Sequence, residues 1–338
     1  MKKYTAFLGL GASLLVASNA FASDAVLVPD HAENYVRVCD AYGSGFFYIP
    51  GTETCMKLSG YVRTTIQGGT NAYSGVPYGS WQFSNRFALK IETASETELG
   101  PLKVQTEIHF NYKEHKNDEE YAYITLGGFL VGYAPTAFTN YIDLGNVVMD
   151  DVVSQGAFSQ TGQISYTYTN PNGFTGVIAL EQGSGDYVID GYVPFVVGSA
   201  QYSQDWGSVA TSVAYDSVIE GWAGQLNAII NVTDKFSVWV VGGYANKETS
   251  NQAYGSWGGN WAVWGGAAYQ FVETTSFNIQ AATEEWGMVS VTANLVYEPV
   301  KNLQVTPEVT WTRFADNGHY TYEERNAVQG LLRVKRSF

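Results

Sequence analysis

Beyond its first seventeen residues this chain has no long apolar run. A membrane-spanning helix needs about 20 consecutive apolar residues. Any membrane role must therefore be carried by strands closed on themselves, the other arrangement that satisfies every backbone group in lipid. Cysteine is nearly missing too: Cys39 and Cys55 are the only two in 338 residues. Two thiols fall short of a structural zinc site. The histidines His31, His109, His115 and His319 are scattered and supply neither a metal cluster nor a nucleophile–base pair. No cofactor is implied. Basic residues are scarce beside acidic ones, 18 against 32. That balance argues against nucleic acid as a partner and leaves cations or neutral polar solutes as natural visitors.

The N-terminus sets the compartment. Lys2 and Lys3 precede an apolar run from about Ala6 to Ala17, and Ala20-Phe21-Ala22 has the small-x-small form of a cleavage site. Residues 1–22 are expected to be a signal peptide, removed on export. Losing its two lysines takes the net charge from −14 to −16. Export brings the cysteines into an oxidising compartment, where a Cys39–Cys55 bridge is expected, worth about 3 kcal/mol in the chain-entropy model. Residues 23–54 then form a disulfide-closed segment at the periplasmic mouth, and residues 55–338 the membrane domain.

What the chain does have is strict alternation. Met56, Leu58, Gly60, Val62 and Ile66 fall on one side of an extended segment. Lys57, Ser59, Tyr61, Arg63, Thr65 and Gln67 fall on the other. Trp81 to Glu92 repeats the pattern, with Phe83, Phe87, Leu89 and Ile91 opposed to Ser84, Arg86, Lys90 and Glu92. Successive side chains of a strand face opposite ways, so each segment has one apolar and one charged face. The pattern continues to the last residues, where Leu332, Val334, Arg336 and Phe338 oppose Arg333, Lys335 and Ser337. With 15% aromatic residues, 36 glycines and a mean hydropathy of −0.11, this reads as an all-β, transmembrane antiparallel barrel with a wet interior.

Seven short, turn-rich connections (98–101, 127–128, 171–173, 205–207, 233–235, 272–275 and 299–302) alternate with longer polar ones, as at 69–80, 184–191, 247–260 and 315–325. Seven turns predict sixteen strands and return both ends to one side. Alternation is poor near Tyr121–Gly127, Phe129–Pro135 and Val196–Tyr202, so fourteen and eighteen are the alternatives. Small residues at Gly198-Ser-Ala200 and Gly265-Gly-Ala-Ala268 are read as an outward face suited to a neighbouring subunit or as ordinary small strand positions. Trp257, Trp261 and Trp264 are read as interfacial girdle rather than a sugar platform.

Cys39-Asp-Ala-Tyr-Gly-Ser-Gly-Phe-Phe-Tyr-Ile-Pro-Gly-Thr-Glu-Thr-Cys55 resembles the N-terminal signature of the alphaproteobacterial general porins. So do Ser95-Glu-Thr-Glu-Leu-Gly100, Tyr123-Ile-Thr-Leu-Gly-Gly-Phe129, Val213-Ala-Tyr-Asp-Ser-Val-Ile219, Trp257-Gly-Gly-Asn-Trp-Ala-Val-Trp-Gly-Gly266 and the ending Arg336-Ser-Phe338. The likeness spans essentially the whole mature chain, although the second external loop, Glu114–Glu119, is shorter than is usual for the family. It implies a homotrimer of sixteen-stranded barrels in outer-membrane lipid, each with an inward-folded third loop.

That loop falls between Thr139 and Gln160 and carries Asp143, Asp150 and Asp151 with no basic residue. Alternation puts Lys57, Arg63, Arg86, Lys90, Lys103, Lys113, Arg333 and Lys335 on the lumen faces of the first three strands and the last. Closure makes those strands neighbours, so a basic wall is expected opposite an acidic loop. Lys57 and Lys113 lie near strand ends, toward the mouths. The expected function is passive diffusion of small hydrophilic solutes and ions, weakly cation-selective, with no catalysis. The alternatives are a substrate-specific sugar channel, an outer-membrane enzyme, or an adhesin or structural barrel.

Overall fold

A computed structural model describes residues 36–112, 116–142, 148–249 and 252–338. Sixteen antiparallel strands among these residues make the wall. They are β1 (Cys55–Gly69), β2 (Gln82–Ser95), β3 (Leu102–Asn111), β4 (Lys116–Leu126), β5 (Phe129–Pro135), β6 (Gln160–Thr169), β7 (Phe174–Glu181) and β8 (Phe195–Gln204). There follow β9 (Gly207–Asp216), β10 (Gly221–Thr233), β11 (Phe236–Ala245), β12 (Trp261–Val272), β13 (Thr275–Glu284), β14 (Val289–Val300), β15 (Leu303–Arg313) and β16 (Asn326–Ser337). Each pairs with the next, and β16 pairs back onto β1, with Leu332 opposite Ile66 and Lys335 opposite Arg63. The sheet therefore has no free edge, which lets strands meet lipid with every wall hydrogen bond made. No helix among the described residues is long and apolar enough to cross a membrane.

The seven short connections lie at one end, where β1 starts and β16 stops. This turn end also carries residues 36–54. There Cys39 is bonded to Cys55, and Phe47–Tyr48 pairs with the start of β1. Cys39, Cys55, Phe46 and Ala94 form a small buried cluster. The expected signal peptide lies outside the described residues.

The pleat sorts side chains as the alternation predicts. Leu58, Val62, Ile66, Leu332 and Val334 stand exposed on the outer surface. Inside, the wall is of two kinds. From β7 to β13 the inward positions include Ala179, Val197, Ala210, Ala214, Ala223, Val241, Ala262 and Ala282, all small and all buried. The described residues of the third loop, 136–142 and 148–159 at the opposite, loop end, pack into the space they leave. The loop opens with the helix α1 (Ala137–Asn140), capped by Thr136, whose hydroxyl accepts from the Phe138 amide. Phe138, Val152 and Val153 from this loop join Tyr254 and Trp257 from residues 246–260 in one core.

Two expectations need correction. Trp261 faces outward, but Trp257 and Trp264 are not girdle residues. They sit inside at 4% and 1% exposure, edge to face at 6.1 Å, and the Trp264 indole donates to the Val153 carbonyl at 3.1 Å. A lumen this wide can hold a core, so a buried aromatic need not face lipid. The small residues divide similarly. Ser199 points inward and donates to the Ala137 carbonyl, and Gly266 makes room for the Trp239 ring.

The last residue is fixed twice. Phe338 and Gly60 exchange backbone hydrogen bonds at 3.0 and 3.1 Å, and the Phe338 ring stacks on Phe87. A Cβ at Gly60 would fall 2.1 Å from the Ala88 carbonyl oxygen, whereas one at Gly330 meets nothing within 4 Å. Gly60→Val is therefore expected to lower the yield of the folded, heat-modifiable form sharply on gels, and Gly330→Ala to leave it unchanged. Equal yields would contradict this packing.

Candidate functional site

The third loop is held against the wall by carboxylates buried in the strands. At its start, Glu181 of β7 accepts from the Thr136 hydroxyl at 2.7 Å, the Ala137 amide at 2.8 Å and the Tyr254 hydroxyl at 2.7 Å. Further along, Glu308 of β15 accepts from the Met149 and Asp150 amides and from the Asn294 side chain, each at 2.8 Å. The loop then returns along the wall. Gln280 of β13 donates to Asp151 at 2.7 Å, Trp264 of β12 to the Val153 carbonyl, and Gln225 of β10 to the Gln155 carbonyl at 2.5 Å. The described part of the loop thus lies against the inner face from β7 round to β15, reaching Gln329 at the loop end of β16, and leaves the rest of β16 and β1 to β4 open to the lumen.

On that open strip the register assembles a basic band. Lys335 of β16 lies opposite Arg63 of β1, and Arg63 opposite Arg86 of β2. Arg333 sits two residues from Lys335 on the same face. Like charges on directly opposed residues destabilise a sheet, yet none of the four has a carboxylate within 4 Å among the described residues. Neutral partners steady them instead. Arg86 donates to the Asn111 side chain at 2.7 Å, Arg333 donates to Thr65 at 3.1 Å, and the Lys335 ammonium lies 4.8 Å from the Tyr61 ring centre. All four are half-buried and border water.

The other sequence-predicted residues lie elsewhere. Lys90 is four residues from Arg86, about 13 Å along the strand, and forms an ion pair with Glu92 at 3.5 Å. Lys57 and Lys103 face inward at the turn end, Lys57 against the Phe46 ring. Asp150 and Asp151 turn onto the wall. Asp150 is 7% exposed, and its carboxylate accepts from Gln329 at 2.6 Å. Asp143 and Lys113 lie outside the described residues.

Several further residues line the lumen. His109 is bracketed there by Glu107 and Glu120. Its Nε2 is 2.8 Å from Glu107, and its Nδ1 lies 3.0 Å from Glu120, at ion-pair distance but without hydrogen-bond alignment. Glu107 shares the inward parity of His109 and could have been found by alternation. Glu120 could not, because a bulge opposite Glu107/Ile108 shifts the parity of β4. The first loop adds Tyr78, which donates to Gln329 at 3.0 Å.

Burial pushes the Asp151 carboxyl up to about 6, against hydrogen bonds from Gln280 and Gln155 that pull it down. Burial raises Asp150 as well, opposed by its bonds from Gln329 and Thr310 and by the charge of Arg333. These loop acids are thus less available as open negative charge than their sequence implies.

A family model described as a porin subfamily matches residues 24–331. The chain is 49% identical to porin Omp2b of Brucella suis and of Brucella abortus, and 48% identical to that of Brucella melitensis, over 98% of both chains in each case. Among solved structures it is similar to the outer membrane channel DcaP of Acinetobacter baumannii, with a TM-score of 0.66 at 15% identity over 86% of this chain and 99% of that one. A triple mutant of the Rhodopseudomonas blastica porin gives 0.61 at 14% identity, over 84% and 100%. At such identities the structures bear on the fold alone.

The raised Asp151 value has a consequence for loop docking. Between roughly pH 4, the ordinary carboxylate value, and about 6, the docked loop retains a proton that an undocked loop releases. Docking is favoured below this window, weakens as pH rises through it, and stays weaker above. Single-channel current noise from loop movement is expected to grow between pH 4 and 7. Asp151→Asn, which keeps an acceptor for Gln280, should flatten that dependence. Noise in the native channel that does not change with pH would contradict the account.

Proposed function

Because the chain belongs to the porin subfamily, we propose that the gap between its third loop and the basic band of β16, β1 and β2 is the constriction of its diffusion pathway. The protein is an outer-membrane porin, a passive channel for small solutes, and family identity points to a channel rather than an enzyme. Short turns face the periplasm in bacterial barrels of this kind, so residues 36–54 lie at the periplasmic mouth and the loop end faces outward.

The observation that carries this reading is the band of Lys335, Arg63 and Arg86 with Arg333, none of which has a carboxylate within 4 Å among the described residues. Four cations kept side by side with no carboxylate in contact are unfavourable for the sheet, and water and passing solutes can complete their shells. Hydrated polar solutes can orient in that field, whereas apolar ones must give up water structure to enter. The net charge of −16 favours cations along the approach. The positive band opposes it at the narrowest place, and Asp150 and Asp151 are engaged with the wall. Ion preference is therefore weak, set by the local field rather than by total charge. Homotrimer formation in outer-membrane lipid follows from the family resemblance, and the exposed apolar outer face suits both contacts.

Planar-bilayer recordings test the reading. Folded protein should insert as long-lived ohmic openings, in steps of three if trimeric. Neutralising Arg63 and Arg333 to Gln should move the reversal potential in a KCl gradient toward the potassium limit. An unchanged reversal potential would remove these residues from the constriction. Saturable block by a single sugar would favour the substrate-specific alternative.

A further inference from the structure

At the loop end, away from the basic band, a cavity of about 380 Å³ is enclosed by five segments. Val152 and Ser154 of the third loop line it. Its sides come from Tyr187 of residues 182–194, Glu248 and Trp257 of residues 246–260, Trp286 of residues 285–288, and Tyr320 of residues 314–325. Its size falls in the range of small-ligand sites, about 300–1,000 Å³.

The Trp286 indole is held from three directions. One face stacks on His319 at 4.5 Å and 9°, its ring meets Tyr320 edge to face at 6.0 Å, and its N–H donates to Glu248 at 2.6 Å. Glu248 is exposed at the mouth and has no basic partner within 4 Å among the described residues. Glu284, buried at 4%, accepts from the Gly258 amide and the Tyr320 hydroxyl, again with no cation at hand. No lysine or arginine lines the cavity. The four outer connections that build its sides, excluding the third loop, carry seven carboxylates against Lys247 and Arg325.

Fixed aromatic surface, two carboxylates and no competing ammonium or guanidinium make a negative, partly desolvated site. An anion would meet two carboxylates without a countercharge. A neutral sugar could stack but would leave the exposed charge of Glu248 without a countercharge. A cation with an apolar body satisfies rings and charges together, since ring faces attract cations within about 6 Å. We propose that this cavity binds small organic cations, protonated amines or quaternary ammonium groups carried on an apolar body, at the outer mouth of the barrel. The basic band lies deeper and opposes their onward passage, so the site retains such solutes at the entrance.

Calorimetric titration of the detergent-folded protein with benzyltrimethylammonium tests this independently of conductance. Benzyl alcohol and benzoate serve as the neutral and anionic counterparts. The expected result is saturable one-site binding of the cation alone, weakened about tenfold by Glu248→Gln through loss of one charge contact. Trp286→Phe, which keeps a ring but loses the bond to Glu248, should weaken it several-fold. The proposal is overturned if folded protein shows no saturable heat with the cation, if benzyl alcohol binds as well, or if Glu248→Gln binds like the native protein.

Discussion

Two buried carboxylates, Glu181 on β7 and Glu308 on β15, hold the third loop inside the barrel, and the form of the lumen depends on them. A loop folded into a tube loses water from its backbone amides, and each unmet buried donor costs about 1–3 kcal/mol. Glu181 and Glu308 meet the amides of Ala137, Met149 and Asp150 directly. Because their own partners are neutral amides, hydroxyls and an asparagine, these acids act as acceptors rather than as halves of ion pairs.

The loop in turn divides the interior. Where it lies, the wall sets small residues such as Ala210, Ala214, Ala223 and Ala262 among buried acceptors and donors, so that Phe138, Val153 and Trp257 can pack against Trp264 as in a soluble core. Where it does not lie, the wall keeps charges: the band of Arg63, Arg86, Arg333 and Lys335, then His109 between Glu107 and Glu120. One side of the tube thus behaves as protein interior and the other as a polarised water boundary. The asymmetry explains how a chain with 32 acids against 18 bases can present a band of positive charge at its waist. Most acids of the loop side are buried as acceptors or stand at the outer mouth.

Much of the wall was legible because period-two alternation and tight turns are local. The first strands and the final strand could be placed from Met56–Gln67, Trp81–Glu92 and Leu332–Phe338, and the seven turns from their own Gly, Pro, Asn and Asp residues, and closure made the basic residues neighbours. Legibility failed where tertiary packing intervened. The stretch Val196–Tyr202 alternates poorly because Val197 faces the loop core rather than water, so both faces are apolar or small. The bulge in β4 hid Glu120. The engagement of Asp150 and Asp151 depends on Gln329 and Gln280, 179 and 129 positions away, and no local signal announces such partners. Trp257 and Trp264 were misread for the same reason.

One side of the lumen is sealed by the loop and the other is open to water. With both native cysteines in the disulfide, single cysteines can report this directly. Modification by a charged methanethiosulfonate reagent during single-channel recording is the measurement to make. Cysteine at Arg63 or Lys335 should react quickly and change the current, while cysteine at Ala210 or Ala223, buried at 1% and 0%, should stay unreactive. Fast reaction at Ala210 and Ala223 in a conducting, folded channel would show that the loop does not cover that wall, and the account would fail.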